Sequence, residues 1–206
     1  MTEEAGDLDG ALARARSGDE AGFLELWRSL QPRLLRYLRV LRCDDPDDVA
    51  SETWLQVVRD LHKFKGGDED FRRWLFAVGR HRAIDAARAR MRRRASPVAG
   101  GLDSLADEQM VEDQVLDAMS VRNAIAMLAG LSPDQAEAVA LRVIAGLDTP
   151  AVADILGKSP GAVRVALHRG LRALAADPRV RALATAPGPE KPAPDPSLLT
   201  PRRCTG

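Results

Sequence analysis

LSPDQAEAVALRVIAGLDTPAVADILGKSPGAVRVALHRGLRALA, residues 131 to 175, is the stretch from which the rest of the chain is read. It reads as three helices with their boundaries written in. Ser132-Pro133-Asp134-Gln135 predicts an N-cap serine, a proline at the first helical position and a glutamine where a capping box places one. Gly146 ends that helix, Thr149-Pro150 starts the next, and Gly157 ends it after about two turns. Ser159-Pro160 starts the third helix. Its inward face is predicted as Val163, Leu167, Leu171 and Leu174, spaced by four, four and three. Its outward face carries Arg164, His168, Arg169 and Arg172, and no acid stands between Lys158 and Leu174.

A short helix, a tight glycine-containing turn and a basic second helix make a helix-turn-helix. The major groove is about 12 Å wide and admits one helix whose side chains reach base edges. Early residues of the second helix approach those edges. Lys158, Ser159, Pro160, Gly161 and Arg164 are therefore the candidate base-reading positions, with His168 one turn further along the same face. Arg169 and Arg172 lie later and to the side, where phosphate contacts are expected. The bland alternative is a helical hairpin with a solvated basic face. The three Ser/Thr-Pro starts fit both.

The composition is 45% hydrophobic and 29% charged, which suits a soluble, core-forming chain of one large or two small domains. Net charge is zero, but zero is here the sum of opposed blocks. From Arg72 to Arg94 there are nine arginines and one acid, Asp85; from Leu102 to Asp117 there are six acids and no base. Such blocks matter more than the total. Cys43 and Cys204 form neither a CxxC pair nor a metal-ligand spacing, which fits a reducing cytosol. No apolar run approaches about 18 residues, so neither membrane insertion nor a signal peptide is expected. His62, His81 and His168 are scattered, and neither a Gly-rich phosphate loop nor a nucleophile motif occurs. An enzyme reading has little support, and neither a cofactor nor a metal is expected.

The first half of the chain is all-α by pattern. Residues Leu8 to Ser17 suit a short helix, and Asp19 caps a longer one. In that helix Phe23, Leu26, Trp27, Leu30, Leu34, Leu38 and Leu41 recur at helical spacing as a core stripe. Pro32 falls inside the stripe and is expected to kink or break the helix. Asp45-Pro46-Asp47-Asp48 is a strong helix start, with acids favoured in the first turn by the helix dipole. Val49, Thr53, Trp54, Val57, Val58 and Leu61 are predicted inward, and Asp48, Glu52, Gln56 and Arg59 outward. The acids either simply cap the helix or form a docking edge for a basic partner.

His62-Lys63-Phe64-Lys65-Gly66-Gly67 is a loop, and Phe64 stands there with little core to fill. Asp68 or Asp70 caps the following helix, in which Phe71, Trp74, Leu75, Val78 and Ile84 supply apolar surface. Arg80, His81, Arg82, Arg88 and Arg90 to Arg94 supply charge. An aromatic loop beside a basic helix is the composition that grips single-stranded nucleic acid, with bases stacking while arginines track phosphates. Ala95 to Leu105 is rich in Gly, Ala, Ser and Pro, so a domain boundary falls there. A helix is predicted over roughly Asp107 to Ala129. From Pro187 to Gly206 six prolines in twenty residues indicate a disordered tail.

The order DPDDVASETWLQVVRDLHKF, FRRWLFAVGRHRAIDAARARMRRR and then the opening stretch resembles the extracytoplasmic-function sigma factors of bacterial RNA polymerase, over about residues 8 to 176. The resemblance implies two small helical domains joined by a flexible linker. Residues 1–94 would be a region 2-like domain, 95–108 a flexible acidic linker, 109–184 a region 4-like helix-turn-helix domain, and 185–206 a disordered tail.

The resemblance also implies roles. The helix bearing Asp45, Asp47, Asp48, Glu52 and Gln56 would dock on the polymerase. Lys63, Phe64, Lys65, Arg80, His81 and Arg88 would take the minus-ten element as single strands. The helix from Ser159 would read the minus-thirty-five element. Partners implied are core RNA polymerase, through its beta-prime clamp and beta flap, promoter DNA and an anti-sigma factor. The acidic linker, as a polyanion, suits a basic channel built for nucleic acid; a solvated spacer is its plain alternative.

Two departures stand out. His81 sits where the family usually has asparagine, which leaves its contact with a flipped base open. Asp148-Thr149-Pro150 replaces the more usual start of the first helix of the helix-turn-helix. The competing readings are a helix-turn-helix regulator acting without polymerase docking and a helical adaptor without DNA contact. The first needs a dimerising or receiver domain, and a receiver would show alternating strands and helices. The second leaves the arginine block unexplained. The linker predicts that the two domains move independently in the free chain.

Overall fold

The computed structural model describes residues 8–95 and 123–180. The predicted linker, the acidic run, most of the helix expected over 107–129 and the Pro-rich tail lie outside the described residues. Seven helices carry the fold: α1 (Leu8–Arg16), α2 (Glu20–Val40), α3 (Pro46–Asp60), α4 (Asp68–Ala95), α5 (Pro133–Val143), α6 (Thr149–Leu156) and α7 (Pro160–Ala176). A 3-10 turn, Leu61–Lys63, links α3 to the loop before α4, and residues 123–128 are also helical. Among the described residues there is no strand, and no helix is long and apolar enough to cross a membrane.

The predicted helix starts use the chemistry written in the sequence. Asp19 Oδ1 accepts from the Ala21 N–H at 3.0 Å, and Asp45 Oδ1 from the Asp48 N–H at 2.9 Å. The start of α4 is different. The Asp68 N–H donates to Oδ1 of Asp9, at 2.6 Å, so a residue of α1 caps α4 across the fold. Asp68 itself pairs with Arg72 one turn on, at 2.9 Å.

α2 is one helix of 21 residues, and Pro32 does not break it. The proline sits exposed, where loss of one backbone donor is tolerated on the solvent side. Leu26, Leu30, Leu34 and Leu38 are buried as predicted, and Tyr37 joins them. Trp27, expected in the stripe, is 39% exposed. Phe23 and Trp54 instead meet edge to face at 5.7 Å, and Trp54 Nε1 donates to Gln31 Oε1 at 2.7 Å. Val58 on α3 was placed inward by pattern and is 54% exposed. A helix of this length buries one narrow face, and Val57 already fills it.

The helix-turn-helix forms where it was read, with local differences in its caps. Ser132 makes no side-chain cap bond, so the capping box does not close. Asp148, one residue before Thr149, caps α6 by accepting from the Ala151 N–H at 2.8 Å. Gly157 ends α6 at φ 62°, the left-handed conformation that glycine adopts without strain. Ser159 Oγ caps α7 by accepting from the Ala162 N–H at 3.2 Å.

The inward face of α7 is Val163, Leu167 and Gly170, with Leu174 half-buried; Leu171 is 48% exposed. The stripe is thus spaced four, three and four. The reason is Gly170. A Cβ there would lie 2.9 Å from Val139 Cγ2, so α7 crosses α5 at backbone distance and turns Leu171 outward. Gly170→Leu is expected to force these helices apart and destabilise the chain by about 1–3 kcal/mol, as overpacked cores do. Gly161→Ala, whose Cβ meets only Ser159 Oγ at 4.0 Å, is expected to be neutral or stabilising. Calorimetric unfolding of both variants measures the contrast.

Candidate nucleic-acid interface

The arginine block between Arg72 and Arg94 sorts into two parts along α4. The first part is paired inside the protein. Arg72 binds Asp68, Arg73 binds Asp70 at 3.1 Å and Asp154 at 3.2 Å, and Arg80 Nε binds Glu137 Oε1 at 2.8 Å. Both Nε and Nη2 of Arg82 donate to Gln56 Oε1, at 3.1 and 2.6 Å. Further along, Arg88 is exposed and only 3.7 Å from Asp85, and Arg90 reaches Asp44. Arg92 and Arg93 are exposed at the end of the helix. The single acid counted along the block hid this, because the partners lie outside the block, on the first turn of α4, on α5 and α6, and at Asp44 before α3.

The loop before α4 is built on aromatics. Phe64 stacks on Trp74 with centroids 5.1 Å apart and planes 16° off parallel, and both meet Phe71 edge to face. Phe71 is fully buried, while Phe64 and Trp74 are half-buried. Phe64 therefore has a core neighbour, contrary to the expectation for its loop. An open cleft of about 460 Å³ lies against Phe64, Lys65, Trp74 and His81. Lys63, in the 3-10 turn before the loop, is exposed and 3.8 Å from Asp60. Arg80 does not line this cleft and is held in its pair with Glu137.

On α3, Asp45 acts as the N-cap, while Asp47, Asp48 and Glu52 are exposed. Gln56 is half-buried and holds Arg82. Pattern reading missed Leu55, which is 65% exposed. Asp48, Glu52 and Leu55 follow one face at spacings of four and three, and Val58 lies one turn beyond. An apolar strip thus runs beside the acids. The signal was the spacing itself, obscured by assigning Val58 to the core.

On α7, Ser159, Pro160, Gly161, Arg164, His168, Arg169 and Arg172 are all exposed. Lys158 is half-buried and ion-paired with Asp134 of α5. The row from Arg164 to Arg172 has no carboxylate partner among the described residues, unlike the paired first part of α4. Elsewhere on this unit Val143 is exposed, and with Ile144, Leu171 and Leu174 it borders an apolar groove. Among the described residues no cluster of His, Cys, Asp and Glu fits a metal ion.

The α3 and α4 surfaces fall in one stretch and the α7 face in another, and both stretches match known families. The Sigma-70 region 2 family matches residues 26–93, and the Sigma-70, region 4 family matches residues 122–174. The ECF RNA polymerase sigma factor SigD of Mycobacterium tuberculosis is 32% identical over 180 residues, covering 84% of this chain and 85% of the relative. ShbA, an ECF sigma factor of Streptomyces griseus, is 32% identical over 195 residues, covering 89% of this chain and 99% of the relative. The fold is similar to that of the sigma factor RpoE of Bartonella quintana, solved with its anti-sigma factor NepR. There the TM-score is 0.58 and identity 21%, over 80% of this chain and 98% of RpoE. The chain belongs to the extracytoplasmic-function sigma factors, the promoter-directing subunits of RNA polymerase.

The position of each arginine along α7 predicts different outcomes when it is removed. Arg164→Ala is expected to cost roughly 1–3 kcal/mol and to relax base preference at one position of the upstream element. Arg172→Ala is expected to weaken binding about equally on all sequences and to make the salt slope shallower by about one unit. Salt-dependent binding of holoenzyme to wild-type and single-base-variant promoters measures both.

Tyr37, the single tyrosine of the chain, supplies a pH readout. Burial first, and then the neighbouring Glu137 carboxylate, hold its phenol well above the usual value. Its contribution to stability is therefore fully present below about pH 10, the unfolded value, and is lost as pH rises through the folded one. Phenolate absorbance is expected to appear together with unfolding rather than before it. Alkaline titration followed in parallel by absorbance and circular dichroism tests this.

Proposed function

We propose that the chain joins core RNA polymerase through the α3 edge, with Asp47, Asp48 and Glu52 as its charged contacts and Leu55 and Val58 as its apolar ones. Asp45 and Gln56 support that edge, the first by capping α3 and the second by holding Arg82. In this reading the clamp is the basic partner that the acids require. The groove beside Val143 and Leu171 gives the second unit an apolar surface for the beta flap.

Lys63, Phe64, Lys65, His81 and Arg88, with Arg80 once freed from Glu137, take the minus-ten element as single strands. Phe64 and Trp74 supply stacking faces for bases, and the cations track phosphates. α7 enters the major groove of the minus-thirty-five element, with Arg164 and His168 toward base edges and Arg169 and Arg172 toward phosphates. An anti-sigma factor holds the chain inactive in the cytoplasm, and the chain itself performs no catalysis.

The observation that carries this reading is the pairing of two exposed surfaces in family order. One is an acidic and apolar edge on α3, and the other is a basic face on α7 that has no carboxylate partner among the described residues. Co-purification with core polymerase followed by run-off transcription tests it. A regulator that acts without polymerase would bind duplex DNA tightly alone and fail both.

Asp48→Lys is expected to weaken core binding by about tenfold or more, since reversing a charge at a docked contact removes attraction and adds repulsion. Asp48 is not the capping residue of α3, so its helix content should stay wild-type. Native circular dichroism with unchanged core affinity would exclude α3 as the docking edge.

A further inference from the structure

Two opposed charge blocks lie outside the DNA-facing and docking surfaces. One is the acidic run, with six acids and no base from Leu102 to Asp117. The other lies on α2, where Arg28 to Arg42 holds five arginines and no acid. Arg28 and Arg36 are exposed and meet no carboxylate among the described residues. With Ser29, Pro32 and Arg33 they border an open cleft of about 670 Å³ along α2. Glu25, at its edge, is already paired with Arg14.

The path of the chain brings these blocks together. Arg42 donates to the carbonyl of Ala129 at 3.0 Å. Ala124 and Ile125 share an apolar groove with Arg33 and Arg36. Residues 129 and 125 thus follow Arg42 and Arg36 in order, so the helix of residues 123–128 runs beside α2 in the same direction. Arg33 and Arg36 border both hollows, which makes groove and cleft one continuous surface. The sequence predicts that this helix begins near Asp107. Eight residues back from Ile125 is Asp117, and eight back from Arg36 is Arg28. Each interval is about 12 Å of helix. Asp117 therefore comes level with Arg28, and Asp113 follows one turn beyond.

Connectivity allows this placement. Arg28 lies about 18 Å back along α2 from Val40, and the chain from Ala95 to Asp113 extends to at most about 60 Å. Charge selects the occupant. The acidic run is a polyanion, whereas the tail from Pro187 carries two acids against three bases. We propose that the acidic run docks on the arginine face of α2, with Asp117 seated against Arg28 and Asp113 beside it. The run is then a resident anion for guanidinium groups that bind carboxylate and phosphate alike. It also fixes where the second unit begins along α2. The zero net charge of the chain is in this sense a sum over groups that meet.

The test uses the full chain with Cys43→Ser and Cys204→Ser, and with new thiols from Ser29→Cys and Ala118→Cys. The same register places those two positions level across the face. A short bis-maleimide is expected to join them within one chain. Adding Arg28→Glu is expected to slow that cross-link about fivefold, as reversing one exposed pair does. Asp117→Arg, placed on top, is expected to restore the rate to within about twofold. Arg28 is exposed, so helix content should stay wild-type, and circular dichroism checks it.

Absence of a cross-link within the chain would overturn the docking. A cross-link that ignores both charge changes would overturn the ion pair that seats it. Cross-links between chains in its place would make the face a contact between copies. With Cys204 kept and Ala118 unchanged, faster cross-linking of the Ser29→Cys thiol to Cys204 would make the tail the occupant. Loss of the cross-link on adding an equimolar duplex of mixed sequence would give the face to nucleic acid. Each of these last three results also overturns the proposal.

Discussion

α2 is the post on which everything else leans. Leu26, Leu30, Leu34, Tyr37 and Leu38 are buried along it, and α1, α3, α4 and α5 all contact it. Burying several leucines at roughly 2 kcal/mol each is the largest favourable term available to a helical unit this small. That demand explains why Pro32 is accommodated. The proline faces solvent, and breaking the helix there would separate Leu30 from Leu34. Tyr37 then gives the same helix a polar contact with the second unit, so one helix carries both the core of the first unit and its junction with the next.

Much of this was legible in the sequence, where local chemistry decides. The boundaries of α5, α6 and α7 follow from Pro, Gly and Ser positions. The acids at the start of α3 and the basic face of α7 follow from spacing alone. What was not legible came from neighbours remote in the chain. Leu171 turned outward because Gly170 lets α7 approach Val139, and no periodicity within α7 contains that information. Trp27 and Val58 are apolar residues that the core did not need.

The arginine block is the clearest case of a pattern that was real but misread. Counting along the chain gives nine arginines against one acid. Counting in space brings in Asp68, Asp154, Glu137 and Asp44, supplied by other turns and helices. Sequence statistics see charge per length, whereas solvation and pairing depend on charge per volume. α7 differs because, among the described residues, its arginines from Arg164 to Arg172 meet no carboxylate, and there the linear and spatial counts agree.

The bond from the Asp68 N–H to Asp9 joins the beginning of the chain to the beginning of α4. During synthesis α1 leaves the ribosome long before its partner exists. The exposed donors at the start of α4 cannot be satisfied until some sixty residues have emerged and folded back onto α1. The aromatic loop just before α4 is thereby anchored at a point far from it in the chain. A change that disturbs α1 therefore reaches the aromatic loop before α4. The start of α4 is thus set by a residue of α1 as much as by its own sequence.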